Sequence, residues 1–438
     1  MTRHGFREKA TRCALGAGLL AGTLVVGGGV IIGQGIASAA NAAACAPSPK
    51  TTTAEADSQT GVTTKSITVG NVSILSGPIP GLFEGAPIGV KAYFDYINSM
   101  GGVYGRHLLV DSKDDSFSSQ QNHAKTAQAI DSDFAMVGSF SLFDNYGCKA
   151  VAANPAVPDV SVSIDPTTNA LPNNYSAAPS AVGLQLGPLE YYKKHYPKDM
   201  TVGTIVSNVA SAEAQWAGQE AALKHVGYKI AYLRDVGPLE SDFTTDVINM
   251  RNDHVNAVDL SALDWQAAAT FMQNAATQDW HPGLIFSFGP VYADQFIAHA
   301  GGPSATDGIQ IGQVQSLYLG QDAAHLPADR VFLKYVKQVN PSWTPDLYTL
   351  YGWASAALFV QALTSAGPHP TRGAVLSQLA KITSFNAGGL IAPVNPAQKK
   401  PSNCFVNLQI KDGTYQRVEP KTTGFDCNGT FFYASQKD

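Results

Sequence analysis

The sequence predicts an α/β fold made of two similar lobes with parallel central sheets, and three observations predict it. From Ser66 onward, short β-branched apolar runs alternate with longer amphipathic ones, the pattern of parallel strands joined by crossover helices. The series holds too many strands for one comfortable sheet and restarts near Thr201, after a loop from Asn169 to Pro179. Beyond its last helical stretches the chain ends in strands and turns. A (β/α)8 barrel, the competing arrangement, would not normally finish so.

The elements follow in order. The 438-residue chain opens with Arg3, Arg7, Lys9 and Arg12, then an uncharged apolar run from Cys13 to Gly33, then small residues from Ala37 to Ala44. Basic, apolar, then peptidase-sized residues is the order of a secretory signal, assigned to residues 1–44. A run of roughly 20 apolar residues could also anchor the chain in a bilayer, but Gly and Ala dominate this one and a cleavable site follows it. Cys45 opens a second reading, in which Ala42-Ala43-Ala44-Cys45 is a lipobox and the cysteine carries a lipid; the usual Leu three residues earlier is missing. Residues 45–65, rich in Ser, Thr and Pro, form a linker.

Strands are expected at Ile67 to Ile74, His107 to Asp111, Phe134 to Gly138, Asp159 to Ser163, Thr201 to Ser207, Lys229 to Arg234, Ala257 to Leu260, Leu284 to Phe288 and Ile309 to Gln313. Runs such as Thr201-Val202-Gly203-Thr204-Ile205-Val206 suit strands covered on both faces. Helices are expected at Glu84 to Met100, Ser119 to Ser132, Ala181 to His195, Ser211 to Val226, Asp242 to His254, Trp265 to Gln278, Tyr292 to Ala300, Asp346 to Thr364 and Arg372 to Ile382. The tail reads as Phe405 to Ile410, a Lys411-Asp412-Gly413 turn, and Tyr415 to Val418.

Of five cysteines, Cys13 leaves with the signal. Cys404 and Cys427 flank the strand-and-turn tail, which brings their ends together if it folds as a hairpin, and they are expected to pair. Cys148 pairs with Cys45 if the latter is not lipidated, and otherwise is a buried thiol.

Composition narrows the function. A net charge of −5 without any Lys/Arg block excludes a nucleic-acid partner, because phosphate binding needs cations gathered on one face. The ten histidines are scattered, and no H-E-x-x-H, C-x-x-C, P-loop lysine or G-x-S-x-G sequence occurs. Metal hydrolysis, redox exchange, nucleotide cleavage and serine esterase chemistry therefore lack their usual residues; no catalytic residue, cofactor or metal is expected. Asp111, Asp114 and Asp115 read as a solvated turn rather than a cation site.

The first strand ends in Leu75-Ser76-Gly77-Pro78; a helix with Gly89, Asp95 and Asn98 follows, then Gly101-Gly102-Val103-Tyr104-Gly105-Arg106 and Asp114-Asp115. This opening resembles the leucine/isoleucine/valine-binding proteins, type I periplasmic solute-binding proteins that serve ABC importers. The likeness continues through Val137 to Ser141, Pro158 to Ser161, Ile285 to Gly289 and the Ala354 to Leu363 helix, and spans about Ser66 to Ile410. It implies two flavodoxin-like lobes joined by a three-strand hinge that closes like a Venus flytrap. The implied division is 66–186 plus 317–390 for lobe 1 and 187–316 plus 391–438 for lobe 2.

In open α/β sheets, ligands sit beyond the carboxyl ends of the strands. On the family pattern the first lobe would offer Ser76, Phe83, Ser139, Phe140, Ser141 and Leu142, then Ser161, Val162 and Ser163. The second would offer Asn208, Ser211, Phe288, Tyr292, Gln313 and Gln315. Each serine taken singly reads better as a cap or loop terminus than as a ligand contact; as a set at successive strand ends they favour a pocket. Where leucine-type members place an acid against the ligand ammonium, this chain has Gln313-Val314-Gln315-Ser316. A neutral amide cannot neutralise a buried cation, so an amide, a urea-like compound or a small organic acid stands beside a branched-chain amino acid as ligand. The expected role is capture without turnover by a monomer, outside the cytoplasm, for a membrane permease. A ligand-sensing ectodomain and, further off, an exported α/β hydrolase are the rivals.

Overall fold

The computed structural model describes residue 45 and residues 53–434 apart from 80 and 197–199. The signal at 1–44 and part of the linker lie outside the described residues. Strands β1 (Ser66–Ser73), β2 (His107–Asp114), β3 (Met136–Val137) and β4 (Asp159–Val160) form a parallel sheet in the order β2-β1-β3-β4. A second sheet has the order β12-β11-β10-β9-β8-β6-β7. Its strands β6 (Thr201–Ser207), β7 (Lys229–Val236), β8 (Ala257–Asp259), β9 (Leu284–Ser287) and β10 (Gln310–Gln313) are parallel. The tail adds β11 (Val406–Lys411) and β12 (Thr414–Glu419) as an antiparallel hairpin on its edge. Two open sheets exclude the single barrel.

Local sequence explains most boundaries. The Ser119–Ser132 helix begins where Ser118 accepts a hydrogen bond from the Gln121 amide, and the Trp265–Thr277 helix where Asp264 accepts from Gln266 and Ala267. Asp346 and Thr349 form a reciprocal capping box at the start of the Leu347–Ala366 helix. That helix is apolar nearly all round because it lies buried against the Gly85–Ser99 helix. Gly89 and Gly352 sit at the crossing, where backbone approaches backbone: an added Cβ would lie 2.0 Å from the Thr349 and Ala86 carbonyl oxygens respectively. The ring of Trp353 seals the pair edge-on to Tyr93 and Phe332, centroids 4.9 and 5.4 Å away.

Several expectations change. The helix expected over Ala181 to His195 is a strand, β5 (Gly183–Gln185), followed by a helix from Gly187, because β5 pairs with β13 (Phe431–Tyr433) from the far end of the chain. Pro188, which has no N–H to give and a fixed φ, then sits in the first turn. The helix expected over Tyr292 to Ala300 shrinks to Phe296–His299, since Tyr292 is drawn into the core. Helices at Asp144–Ala153 and Pro327–Val339 were not anticipated; in the latter, Phe332 and Val336 are buried at i, i+4 spacing.

The chain passes between the sheets three times: after β4, after β10 and before β11. Two of the passing segments are hydrogen-bonded side by side, Ser316 N to Leu390 O at 2.9 Å and Ala392 N to Val314 O at 2.7 Å. The third carries β5. Disulfides join Cys404 to Cys427, as the hairpin reading expected, and Cys45 to Cys148. Among the described residues, no helix is long and apolar enough to cross a membrane.

Candidate functional site

The carboxyl ends of the parallel strands of both sheets converge on one cavity of about 350 Å³. From the four-stranded sheet come the loops after β1 (Ile79, Leu82, Phe83), β3 (Phe140, Leu142) and β4 (Val162, Ser163, Ile164). Facing them are the loops after β6 (Val209), β8 (Ser261, Leu263, Asp264), β9 (Phe288) and β10 (Val314, Gln315). One wall is an aromatic cluster: Phe83 meets Phe140 and Tyr348 at centroid distances of 4.8 and 4.5 Å, and Tyr351 stacks on Phe140 at 6.1 Å. Such a pocket removes an apolar body from water while a few polar groups fix its orientation.

Among the described residues lining the cavity there is no Lys, Arg or His, and Asp264 is the single carboxylate. Its Oδ1 accepts from the Gln266 and Ala267 amides at 2.8 and 2.9 Å. Burial nonetheless pushes its pKa up. Burial, then the charges of Asp346 and Asp264, raises the Tyr348 phenol far above its ordinary range, so it stays a neutral hydroxyl. Tyr351 is likewise held neutral by burial, and its hydroxyl accepts from Gln315 Nε2 at 2.7 Å.

Of the residues expected at the site, Phe83, Phe140, Leu142, Ser163, Phe288, Gln313 and Gln315 line the cavity, as does Val162. Others do not. Ser139, Ser141 and Ser161 turn the other way, toward a void of about 40 Å³ behind Phe140. Their hydroxyls are used within the lobe: Ser139 Oγ accepts from Val72 N at 3.0 Å, Ser161 Oγ from Ser139 N at 3.3 Å, and Ser141 donates to Asp115 at 2.6 Å. Ser76 is exposed and bonds to Asp114. Asn208 is exposed at the end of β6, where its backbone N–H donates to Val236 O. Tyr292 belongs to the core, with rings of Tyr318 and Tyr415 at 4.9 and 4.8 Å and its hydroxyl donating to Gln321 at 2.6 Å. The Ser211 side chain lies outside the described residues. The acidic turn is internally satisfied: Asp111 pairs with Lys113, Asp114 accepts from Leu75 N and Ser116 N, and Asp115 from Asn122 and Phe117 N.

Sequence reasoning missed Gln219, Asp264, Tyr348, Tyr351 and Phe405, all lining the cavity. Asp264 carried a readable signal, since it stands between a strand and an apolar-periodic helix as N-caps do. The two tyrosines, three apart at the start of a core helix, did not.

A family model for periplasmic binding proteins matches residues 66–414. The chain belongs to the periplasmic binding protein family. Among solved structures, a fatty acid ABC transporter substrate-binding protein from Thermomonospora curvata is similar at 18% identity and TM-score 0.72, over 83% of this chain and 94% of that one. A solute-binding protein of an ABC transporter from R. palustris, solved with benzoate, has 17% identity and TM-score 0.66, over 83% and 97%. The branched-chain amino acid transporter substrate-binding protein of Streptococcus pneumoniae, solved with isoleucine, has 17% identity and TM-score 0.66, over 81% and 100%. At such identities the likeness is one of fold. No curated protein matches the sequence. In this periplasmic binding protein, then, amides stand at Gln313 and Gln315, and the carboxylate at the cavity comes from another strand end, at Asp264.

Proposed function

We propose that the protein is a non-catalytic extracytoplasmic receptor that captures a small molecule between its lobes and delivers it to an ABC-type permease. The observation that carries this reading is the cavity built by strand-end loops of both sheets. A molecule held there touches both halves only when they are closed, so binding favours the closed form. Hinge bending at the segment pairs 314–316 with 390–392 and 183–185 with 431–433 would move lobe 66–186 plus 317–390 against lobe 187–316 plus 391–438. The protein would act as a monomer, exported by its 1–44 signal. Its Cys45 sulfur, bonded to Cys148, would be unavailable for a lipid.

The test is a thermal-shift screen across amino acids, amides, organic acids and fatty acids, with small-angle scattering on any hit. A ligand preferring the native fold raises Tm saturably, and closure shrinks the radius of gyration. A broad panel that raises no Tm, or chemical turnover of a bound hit, refutes the proposal.

A further inference from the structure

The cavity has an unusual polar inventory. Gln219, on the Ala210–His225 helix, is 1% exposed and lines the cavity, yet neither its Nε2 nor its Oε1 has a hydrogen-bond partner among the described residues. The protein meets the other buried amides at the site: Gln315 holds Tyr351 and the Val314 N–H, and Gln185 holds Gly187 N and Asn403 O. A buried amide left with one donor face and one acceptor face calls for a partner that offers both. The formal charges point the same way. Among the described residues lining the cavity, a carboxylate would find no Lys, Arg or His and would face Asp264; a zwitterionic amino acid would have its ammonium met by Asp264 and its carboxylate opposite no cation.

We infer that the ligand is an uncharged molecule with a largely apolar body and a carboxamide-type head, which pairs with Gln219 through one donated and one accepted hydrogen bond. The body lies against Phe83, Phe140, Tyr348 and Phe288, and the absence of lining cations selects against organic anions of the same shape. This inference rests on the receptor reading proposed above and narrows it to a ligand class.

The experiment uses four probes of matched size on the mature protein, by calorimetry and thermal shift: octanamide, octanoate, octylamine and leucine. Octanamide is expected to bind at least tenfold more tightly than octanoate or leucine. Gln219→Leu, which removes the unpartnered amide while keeping an apolar side chain, is expected to fold with unchanged or higher Tm and to weaken octanamide at least tenfold. Tighter binding of octanoate, octylamine or leucine than of octanamide overturns the inference and leaves the receptor standing. Unchanged octanamide affinity in Gln219→Leu overturns the role of Gln219. Silence of all four probes, in a protein that also ignores the broad panel, overturns both readings.

Discussion

Replacing Gly89 with alanine tests the packing of the first lobe at its tightest point. The new Cβ would fall 2.0 Å from the Thr349 carbonyl oxygen and 2.8 Å from the Trp353 nitrogen, whereas ordinary contact begins at 3.4 Å. Both obstacles are backbone, so no side chain can swing aside and the helices must part. Overpacking of this kind costs about 1–3 kcal/mol, and a gap of about 0.5–1 Å forfeits a quarter to a half of each neighbouring dispersion contact. Alanine returns about 1 kcal/mol through helix propensity. Taking the upper end of the penalty, the net loss is about 2 kcal/mol, or about 4–8 °C in Tm for a lobe of this size. Thermal unfolding followed by circular dichroism measures it, with Gly237→Ala as control, since nothing lies within 4 Å of its added Cβ. Gly352→Ala should act alike, and the double variant should lose less than the sum, because helices already parted by one methyl admit the second. A Gly89→Ala protein melting within about 1 °C of the parent would refute the close approach.

Arg417, 9% exposed, donates to both oxygens of Asp322, at 2.5 and 3.2 Å; Arg417→Ala strands a buried carboxylate and should cost about 3–5 kcal/mol in urea unfolding. Asp144 has a buried, unpartnered Oδ1, and burial raises its pKa from 3.8 to about 7 against the lowering effect of the Asp165 and Ile164 amides. Because the folded value lies above the unfolded one, its contribution is fully present below pH 4 and is lost as pH rises through 7, by at most roughly 4 kcal/mol. Asp144→Asn should therefore flatten the fall in stability between about pH 4 and pH 7, and an unchanged slope would assign that fall to other groups. Peptide mapping of exported protein should recover the Cys45–Cys148 and Cys404–Cys427 links. Loss of the first, which closes a separation of 103 residues, should cost up to about 4.7 kcal/mol on a chain-entropy account. A diacylglycerol on Cys45 would refute that pairing.

The sequence by itself determined the order and kind of most elements. A strand covered on both faces and an amphipathic helix each write their periodicity into neighbouring residues, so the nine parallel strands at Ser66–Ser73 through Gln310–Gln313 were legible. The Cys404–Cys427 pair was legible for the same reason, because a local hairpin brings its own ends together. Tertiary structure alone decided what faces the cavity. At the loop after β3, Phe140 and Leu142 point into it while Ser139 and Ser141 turn to the void behind. In an extended chain adjacent side chains take opposite sides, and only packing fixes which set faces which way. The strand β5, the orphan amide of Gln219 and the meeting of Asp264 with Tyr348 depend on segments brought together by three passages between the sheets. No window of neighbouring residues contains both members of such a contact.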